Sequence, residues 1–480
     1  MLNQLKKLIP HRIFSVLQPP YHFILSWLAA LVYRFPSRKL IIIGVTGTTG
    51  KTSTVYLTAK MLNEAGYKTG FTSTAVLSNG QREWLNDKKM TMPGRFFIQK
   101  LLRDMVKNNC RYAIVETTSE GIKQFRHRFI NYDILVFTGI YPEHIESHGS
   151  FENYKAAKGK LFAHLKHSVT KYTDSNHRVV NPRSELKKLD LLRVTKTIIV
   201  NGDDDNVNYF LNFWSEAKLV CSFKPEITPD FFLKKLNSET MVKDFMVVKG
   251  GEIKATATGT SLTINGEKVN LKLLGGFNAA NALIAAAVGF NQNLTLAQIT
   301  AGLEEVRGLA GKLEKIEAGQ DFSVIVDYSF EPLALSKLYQ MISLIPYQKL
   351  IHLLGSAGGG RDKARRPLLG RLAAEKADFV VVTNEDPYDE DPAEIINQVA
   401  AGAEMAGKQN NVNLFKIMDR RDGIKKALTL AKKGDLVLFT GKGAEQSICL
   451  SNGQKLPWDE RDVVREEIVE LLRIDKQEQL

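Results

Sequence analysis

Cysteine is scarce: Cys110, Cys221 and Cys449 are the three in 480 residues. So few, so far apart, they form neither a disulfide framework nor a CxxC metal motif, and a reducing, cytoplasmic setting is the simplest one. The apolar run Tyr21 to Tyr33 has thirteen residues, broken by His22 and Ser26, where a membrane span needs about 20. No internal repeat stands out. No nucleic-acid signature accompanies the net charge of +13, because the 65 basic residues are mostly scattered among 52 acidic ones. That distribution fits a basic enzyme handling anionic substrates and argues against a nucleic-acid partner. Asp and Glu are missing altogether from residues 1–40, which carry Lys6, Lys7, Arg12, Arg34, Arg38 and Lys39. No small-residue cleavage site follows, so a removable signal peptide is not indicated. The stretch reads as a helix packed on the next domain. A second reading is a helix lying on the inner, anionic face of a membrane, giving residues 1–38 a peripheral contact.

What is present is an α/β pattern of two or three domains. Leu40 to Val45 is a continuous apolar run suited to a strand buried on both faces, and Thr52 to Ala65 reads as the helix after it. Arg111–Val115 and Ile134–Thr138 are further buried strands. From about Ser222 to Leu274 the texture is β-rich, and a helix follows over Asn278–Gly289. A linker lies near Glu305–Gly311. Strands then recur near Phe322–Val326, Leu350–Leu354, Phe379–Thr383 and Leu436–Phe439, as in a Rossmann-like domain. The expected division is a basic apolar segment over 1–39, a central nucleotide-binding domain with a mostly parallel sheet over 40–307, and a Rossmann-like domain over 308–480. The polar, basic segment His167–Thr195 receives no assignment.

The strongest motif is Gly44-Val-Thr-Gly47-Thr48-Thr49-Gly50-Lys51-Thr52, followed by Ser53, placed between a strand and a helix. Glycines let backbone N–H groups approach phosphate oxygens, and the helix N-terminus adds partial positive charge. Lys51 supplies a cation for the β- and γ-phosphates, and the Thr52 hydroxyl suits Mg²⁺. The spacing departs from the general P-loop, since Val45 stands where its first glycine would be.

Other segments fall into order behind it. They are Glu116-Thr-Thr-Ser119-Glu-Gly-Ile with Arg126, Phe137 to Gly149 containing His144, and Tyr154-Lys-Ala-Ala-Lys158. Beyond them come Gly276-Phe-Asn278-Ala-Ala-Asn281, Val326-Asp327-Tyr328, Gly360-Arg361-Asp362-Lys363, Asp386-Pro387-Tyr388 and Gly441-Lys-Gly-Ala-Glu445. Together they resemble the Mur ligase family over residues 40 to about 475. The branch most resembled adds the third amino acid to UDP-MurNAc-L-Ala-D-Glu in peptidoglycan synthesis.

The resemblance implies an ATP-dependent ligase that activates a carboxylate as an acyl phosphate and lets an amine displace the phosphate. It implies ATP, Mg²⁺ at two sites and a carbamylated Lys158, with a nucleotide-sugar muropeptide and an amino acid as substrates of a monomer. Lys51, Lys158, His144 and Glu116 then form the catalytic set, and Thr52, Glu116, His144 and Lys158 the metal set. ATP would meet Gly47 to Ser53, Asn278, Asn281, Asp327 and Arg361, with Lys363 beside it. Asn278 and Asn281 also suit a helix cap. The substrates would meet Thr91, Pro93, Ser119, Arg126, Asp386, Tyr388, Gly441 and Glu445.

The departures matter as much. Less chain precedes the P-loop than the family's nucleotide-sugar domain occupies, which leaves a lipid-linked acceptor as an option. Glu120 and Ala444 replace family histidines, and Gly311-Lys312 replaces Gly-Arg. Tyr388 stands where diaminopimelate-adding members carry an arginine that forks onto the distal carboxylate. Lysine, or another diamino acid lacking that carboxylate, is therefore the expected amino acid. Two other readings stand beside this one: a ligase for another glutamyl acceptor such as a folate, and a non-catalytic nucleotide-binding partner.

Overall fold

The computed structural model of the chain describes residues 11–480 apart from positions 89, 144–147, 175–177, 181–190, 235, 237–239, 241, 243, 257, 361–362 and 479–480. A helix, α1 (His11–Val32), comes first. It is followed by β1 (Ile41–Thr46), the P-loop and α2 (Lys51–Glu64). Every residue of β1 is buried. Ile41, Ile43 and Val45 enter the core on one face, and Leu40 and Ile42 that on the other. Such two-sided burial is what a continuous apolar run demands of a central parallel strand.

Next come β2 (Thr69–Thr72), β3 (Val76–Ser78), β4 (Glu83–Leu85), α3 (Arg95–Lys107), β5 (Tyr112–Glu116), α4 (Ser119–Lys123), β6 (Ile134–Phe137) and α5 (Phe151–Leu165). The segment left unassigned from sequence forms short strands β7 (Tyr172–Thr173), β8 (Val179–Val180) and β9 (Leu192–Arg193) in a small sheet of their own. After them run β10 (Thr197–Asn201), β11 (Ala217–Ser222), β12 (Asp244–Thr256), β13 (Gly259–Ile264), β14 (Glu267–Leu271), α6 (Gly276–Asn291) and α7 (Leu296–Glu304). The main sheet has eleven strands in the order β14-β13-β12-β11-β10-β6-β1-β5-β2-β3-β4. The stretch from β12 to β2 is parallel, and the hairpin strands at both edges are antiparallel.

A second sheet takes β15 (Glu314–Lys315), β16 (Ser323–Asp327), β17 (Leu350–Leu354), β18 (Phe379–Thr383), β19 (Leu414–Ile417) and β20 (Leu436–Thr440) in the order β15-β16-β20-β17-β18-β19. All its pairings are parallel except that of β15 with β16. Its helices are α8 (Pro332–Ile342), α9 (Arg365–Lys376), α10 (Pro392–Met405), α11 (Arg420–Leu430) and α12 (Glu460–Glu478). In both sheets the strand order makes a crevice beyond the carboxyl ends, the usual place for a ligand in an open α/β sheet. No helix among the described residues is long and apolar enough to cross a membrane.

Candidate active site

The nucleotide loop sits at the carboxyl end of β1, between its neighbours β5 and β6. Gly50 holds φ at 78°, a left-handed conformation, and a Cβ there would lie 2.4 Å from Asn281 Oδ1. A residue without a side chain is therefore required where the loop turns into α2. Lys51 Nζ donates to the carbonyls of Gly47 at 3.1 Å and Thr48 at 2.7 Å, which brings its charge onto the loop itself. Thr138 Oγ1 closes the loop from below by donating to Thr49 O at 2.6 Å. Ser53 is half-buried in the first turn of α2.

Glu116, at the end of β5, is fully buried next to this loop. Its carboxylate accepts from Thr52 Oγ1 at 3.0 and 3.2 Å, from Thr74 N at 2.8 Å and from Thr74 Oγ1 at 3.0 Å. Thr74 Oγ1 is also 2.8 Å from Thr91 Oγ1. A chain of hydroxyls thus runs from the loop through Glu116 to the Thr91–Pro93 segment.

Lys158 reaches the same point from α5. It is fully buried, donates to Gly47 O at 2.7 Å, and lies over the Tyr154 ring at 4.6 Å. Burial and the neighbouring Lys51 cation push its amine well below the ordinary lysine range, against the pull of Glu143 and Glu116. Tyr154 Oη is 3.1 Å from Thr48 Oγ1, so α5 is pinned to the loop twice.

Two further groups join them to which the sequence assigned no role. Glu143 is raised above its usual value by burial, while Lys51, Lys158 and Arg365 act to hold its charge. Lys312, carried just ahead of the second sheet, is half-buried; desolvation lowers its amine, yet it lies within the fields of Asp327, Glu116, Lys51 and Glu445. Its ammonium sits 4.5 Å from the centre of the Tyr328 ring. Arg365 is paired with Glu331. Cations and carboxylates from both sheets therefore share one electrostatic neighbourhood, which is what joining two anionic reactants requires.

Asp327 closes β16, accepting from Leu313 N at 2.8 Å and from the Ser329 backbone and hydroxyl. Asn278 and Asn281 do not cap α6: its N-cap is Gly275, with no side-chain bond. Asn278 Nδ2 instead donates to Leu274 O at 2.8 Å, and Asn281 Nδ2 to Asn278 Oδ1 at 3.0 Å, which aims Asn281 Oδ1 at the loop. His144 and Arg361 lie outside the described residues; Lys363 pairs with Glu390 at 3.3 Å.

On the acceptor side Ser119 Oγ is 3.1 Å from His148 Nε2. Arg126 donates to Met92 O and to Gln124 Oε1, which ties it to the turn holding Pro93. Across the second sheet's crevice Asp386 accepts from Lys442 Nζ at 3.1 Å and from Cys449 N at 2.6 Å. Lys442 also bonds Glu445 at 2.7 Å, and Tyr328 Oη donates to Glu445 at 3.0 Å. A Cβ on Gly441 would lie 2.3 Å from Glu385 Oε2, so this loop too is closely packed. Tyr388 holds φ at 51° and donates its N–H to Cys449 O at 3.1 Å.

The donor set suits Mg²⁺. Among the described residues no three His, Cys, Asp or Glu side chains gather in a metal-binding group. A hydroxyl and a carboxylate beside a phosphate loop leave most of the shell to phosphate oxygens and water, as Mg²⁺ prefers.

Residues 45–195 match the Mur ligase middle domain, and residues 311–443 the Mur ligase, glutamate ligase domain. The UDP-N-acetylmuramyl-tripeptide synthetase of Roseiflexus sp. (strain RS-1) is 35% identical over 453 residues, covering 93% of this chain and 82% of that protein. The chain belongs to the Mur ligase family. This Mur ligase is also 31% identical, over 446 residues, to the UDP-N-acetylmuramoyl-L-alanyl-D-glutamate–2,6-diaminopimelate ligase of Syntrophomonas wolfei, covering 92% of this chain and 81% of that one. Its fold is shared with the ADP complex of Mycobacterium tuberculosis folylpolyglutamate synthase, at TM-score 0.61 and 16% identity, covering 87% of this chain and 91% of that one. This Mur ligase is an ATP-dependent ligase, and Mur ligases use ATP and Mg²⁺.

Proposed function

We propose that this enzyme joins an amino acid, lysine before diaminopimelate, to the D-glutamyl carboxylate of UDP-MurNAc-L-Ala-D-Glu. The observation that carries the reading is the junction of Thr52, Glu116 and Lys158 at the nucleotide loop, continued to Thr91 through Thr74. The γ-phosphoryl group passes from ATP to the acceptor carboxylate, giving an acyl phosphate and ADP. The amino group then attacks the acyl carbon; a C–N bond forms, inorganic phosphate leaves and the amine loses a proton. Lys51 and Lys312 place positive charge where two anions must meet. When bound, Mg²⁺ screens the phosphates; Thr52 and Glu116 would hold it, with Lys158 carbamylated and His144 serving a second site. Carbamylation joins the neutral Lys158 amine to CO₂ with loss of one proton, so that a side chain otherwise carried as a cation, after losing two protons in all, becomes an anion. Asp327, Asn281 and Arg361 would contact ATP, and Ser119 and Arg126 the muropeptide. Asp386, Tyr388, Gly441 and Glu445 would line the amino-acid site, with the division at 307/308 separating the two halves of the reaction and that at 39/40 setting off the N-terminal segment. Tyr388 supports lysine because a phenol cannot reproduce an arginine fork.

Phosphate release from ATP, measured with UDP-MurNAc-L-Ala-D-Glu and a panel of amino acids, tests this. Turnover on a folate acceptor and none on the muropeptide would replace the reading with a folate-type ligase. Lys158→Ala should lower turnover about a hundredfold or more, and excess bicarbonate should not restore it. Full activity in that variant would remove the carbamate.

The reading places a monomeric enzyme in the cytoplasm with α1 resting on the inner membrane face. Tyr21, Ile24, Trp27, Leu28 and Leu31 recur at helical spacing and are exposed, while Ser26, Ala29 and Ala30 are buried. An aromatic, apolar face in a basic stretch without acids complements an anionic lipid surface. Trp27→Glu with Ile24→Glu should abolish co-sedimentation with phosphatidylglycerol vesicles, and unchanged sedimentation would exclude the contact.

A further inference from the structure

A second basic site lies away from the nucleotide loop, between α4 and α5. Ile122, Lys123, Phe125, His127, Arg128, Lys160, His164 and His167 line a cavity of about 190 Å³, room for a few waters or one phosphate group. Lys123, Lys160 and His167 stand exposed around it, while His127 is 3% exposed and Arg128 is half-buried. Among the described residues no carboxylate bonds or pairs with Arg128, Lys160 or His167. Arg128 Nη1 faces His164 Nδ1 at 3.5 Å, and His164 Nε2 is 3.3 Å from Ile130 O. Arg128 Nε and His127 Nδ1 are buried with no hydrogen-bond partner. Buried polar atoms are rarely left unsatisfied, and two cations of the lining, Arg128 and Lys160, have no carboxylate among the described residues paired to either. Both anomalies are resolved by one anion in the cavity.

We propose that this pocket binds a phosphate group. Three cationic side chains and three imidazoles converging on a small, partly enclosed volume suit a compact dianion or a phosphodiester better than a planar carboxylate with a long apolar body. The setting narrows the source. Phe125, on the pocket wall, packs against Phe23 of α1 with ring centres 6.2 Å apart, and Phe23 also meets Phe129 at 5.1 Å. Arg95 ties the same helix down, reaching Ser26 Oγ at 3.1 Å, His22 Nδ1 at 2.6 Å and Gln124 O at 2.8 Å. The pocket therefore opens beside the helix whose outer face is apolar. A phosphate held there is either a lipid headgroup, seated as α1 meets the membrane, or a soluble phosphate.

The test is carried out on the full chain with the nucleotide loop saturated by Mg²⁺ and a non-hydrolysable ATP analogue, so that phosphate binding at that loop is not read. Orthophosphate is titrated calorimetrically into the native protein, Arg128→Gln/Lys160→Gln, and Lys100→Gln, an exposed lysine on α3 that removes one charge elsewhere. Affinity should fall about tenfold or more in the double variant and hold in Lys100→Gln. Lys160→Gln alone, on an exposed side chain, should give an intermediate loss and guards against misfolding of the double variant. Vesicles of phosphatidylcholine with and without phosphatidylglycerol then separate the sources. Loss of anionic-vesicle binding in the double variant assigns a headgroup, and unchanged vesicle binding with lost orthophosphate binding assigns a soluble phosphate. Equal binding of both probes by the native protein and the double variant overturns the proposal, as does no binding of either.

Discussion

At the scale of the residue, the nucleotide loop depends on positions where a side chain is forbidden as much as on those where one acts. Gly50 combines a positive φ with an approach of 2.4 Å from a would-be Cβ to Asn281 Oδ1. Gly50→Ala therefore pays left-handed strain of about 1–2 kcal/mol and must also displace Asn281. Affinity for an ATP analogue should drop roughly tenfold while the far-UV spectrum is retained; equilibrium dialysis measures it, and unchanged affinity would show that the loop adjusts. Lys51, Thr52, Glu116 and Lys158 were legible in the sequence because each lies in a short motif next to a strand end or within one helix. Lys312 and Glu143 were not. Lys312 meets Glu116 and Lys51, and Glu143 meets Glu331 and Arg365, only through the packing of two sheets. Lys312 showed in the sequence as no more than a change from arginine in a linker.

At the scale of the element, the α4–α5 region carries a pH dependence of its own. Burial pushes His127 well below the usual imidazole range, helped by His164, Arg128 and Lys160. Burial likewise pushes His164 down to about 4, helped by Arg128, His167 and Lys196. Lys123 also lines the cavity, and Asp133, on the strand β6 side, is already shared by Lys171 and Lys196. With folded values below the unfolded value near 6.5, the unfolded chain takes up more protons as pH falls. The stability these imidazoles contribute is thus present above about pH 6.5 and is lost as pH falls toward 4. Chemical denaturation across that window should show stability falling with acid, more gently in His164→Gln; parallel slopes would place the dependence elsewhere. Elements themselves were largely readable from pattern. The expected strand over Leu40–Val45 is Ile41–Thr46, and the helix expected from Asn278 runs from Gly276 to Asn291. The strands at 172–193 were not readable, since each is two residues long and carries no alternation.

At the scale of the whole molecule, the half of the site built on the second sheet is held by a buried cation that no motif marked, Arg420. Arg420, at the start of α11, bonds Glu460 of α12 at 2.6 and 2.8 Å, and the carbonyls of Thr440 at 2.9 Å and Asn384 at 3.0 Å. It thereby ties the ends of β18 and β20, from which Asp386 and Gly441 extend, to the last helix of the chain. Both partners are about 1% exposed, so removing one leaves a charge buried without its mate. Glu385 adds to the cost: burial and Asp386 already raise its carboxyl to about 7, and Arg420 is foremost among the groups holding it down. Arg420→Met should therefore destabilise the second sheet by about 3–5 kcal/mol, and Arg420→Met with Glu460→Leu should recover part of that loss. Urea unfolding followed by the emission of Trp458, whose indole bonds Glu460 at 2.8 Å, reports on this end of the molecule once the other three tryptophans, Trp27, Trp84 and Trp214, are replaced by Phe. Binding of an ATP analogue to the nucleotide loop should meanwhile be altered less than binding of the amino acid. If both bindings fall together, the two sheets unfold as one cooperative unit and Arg420 supports the entire site rather than its second half.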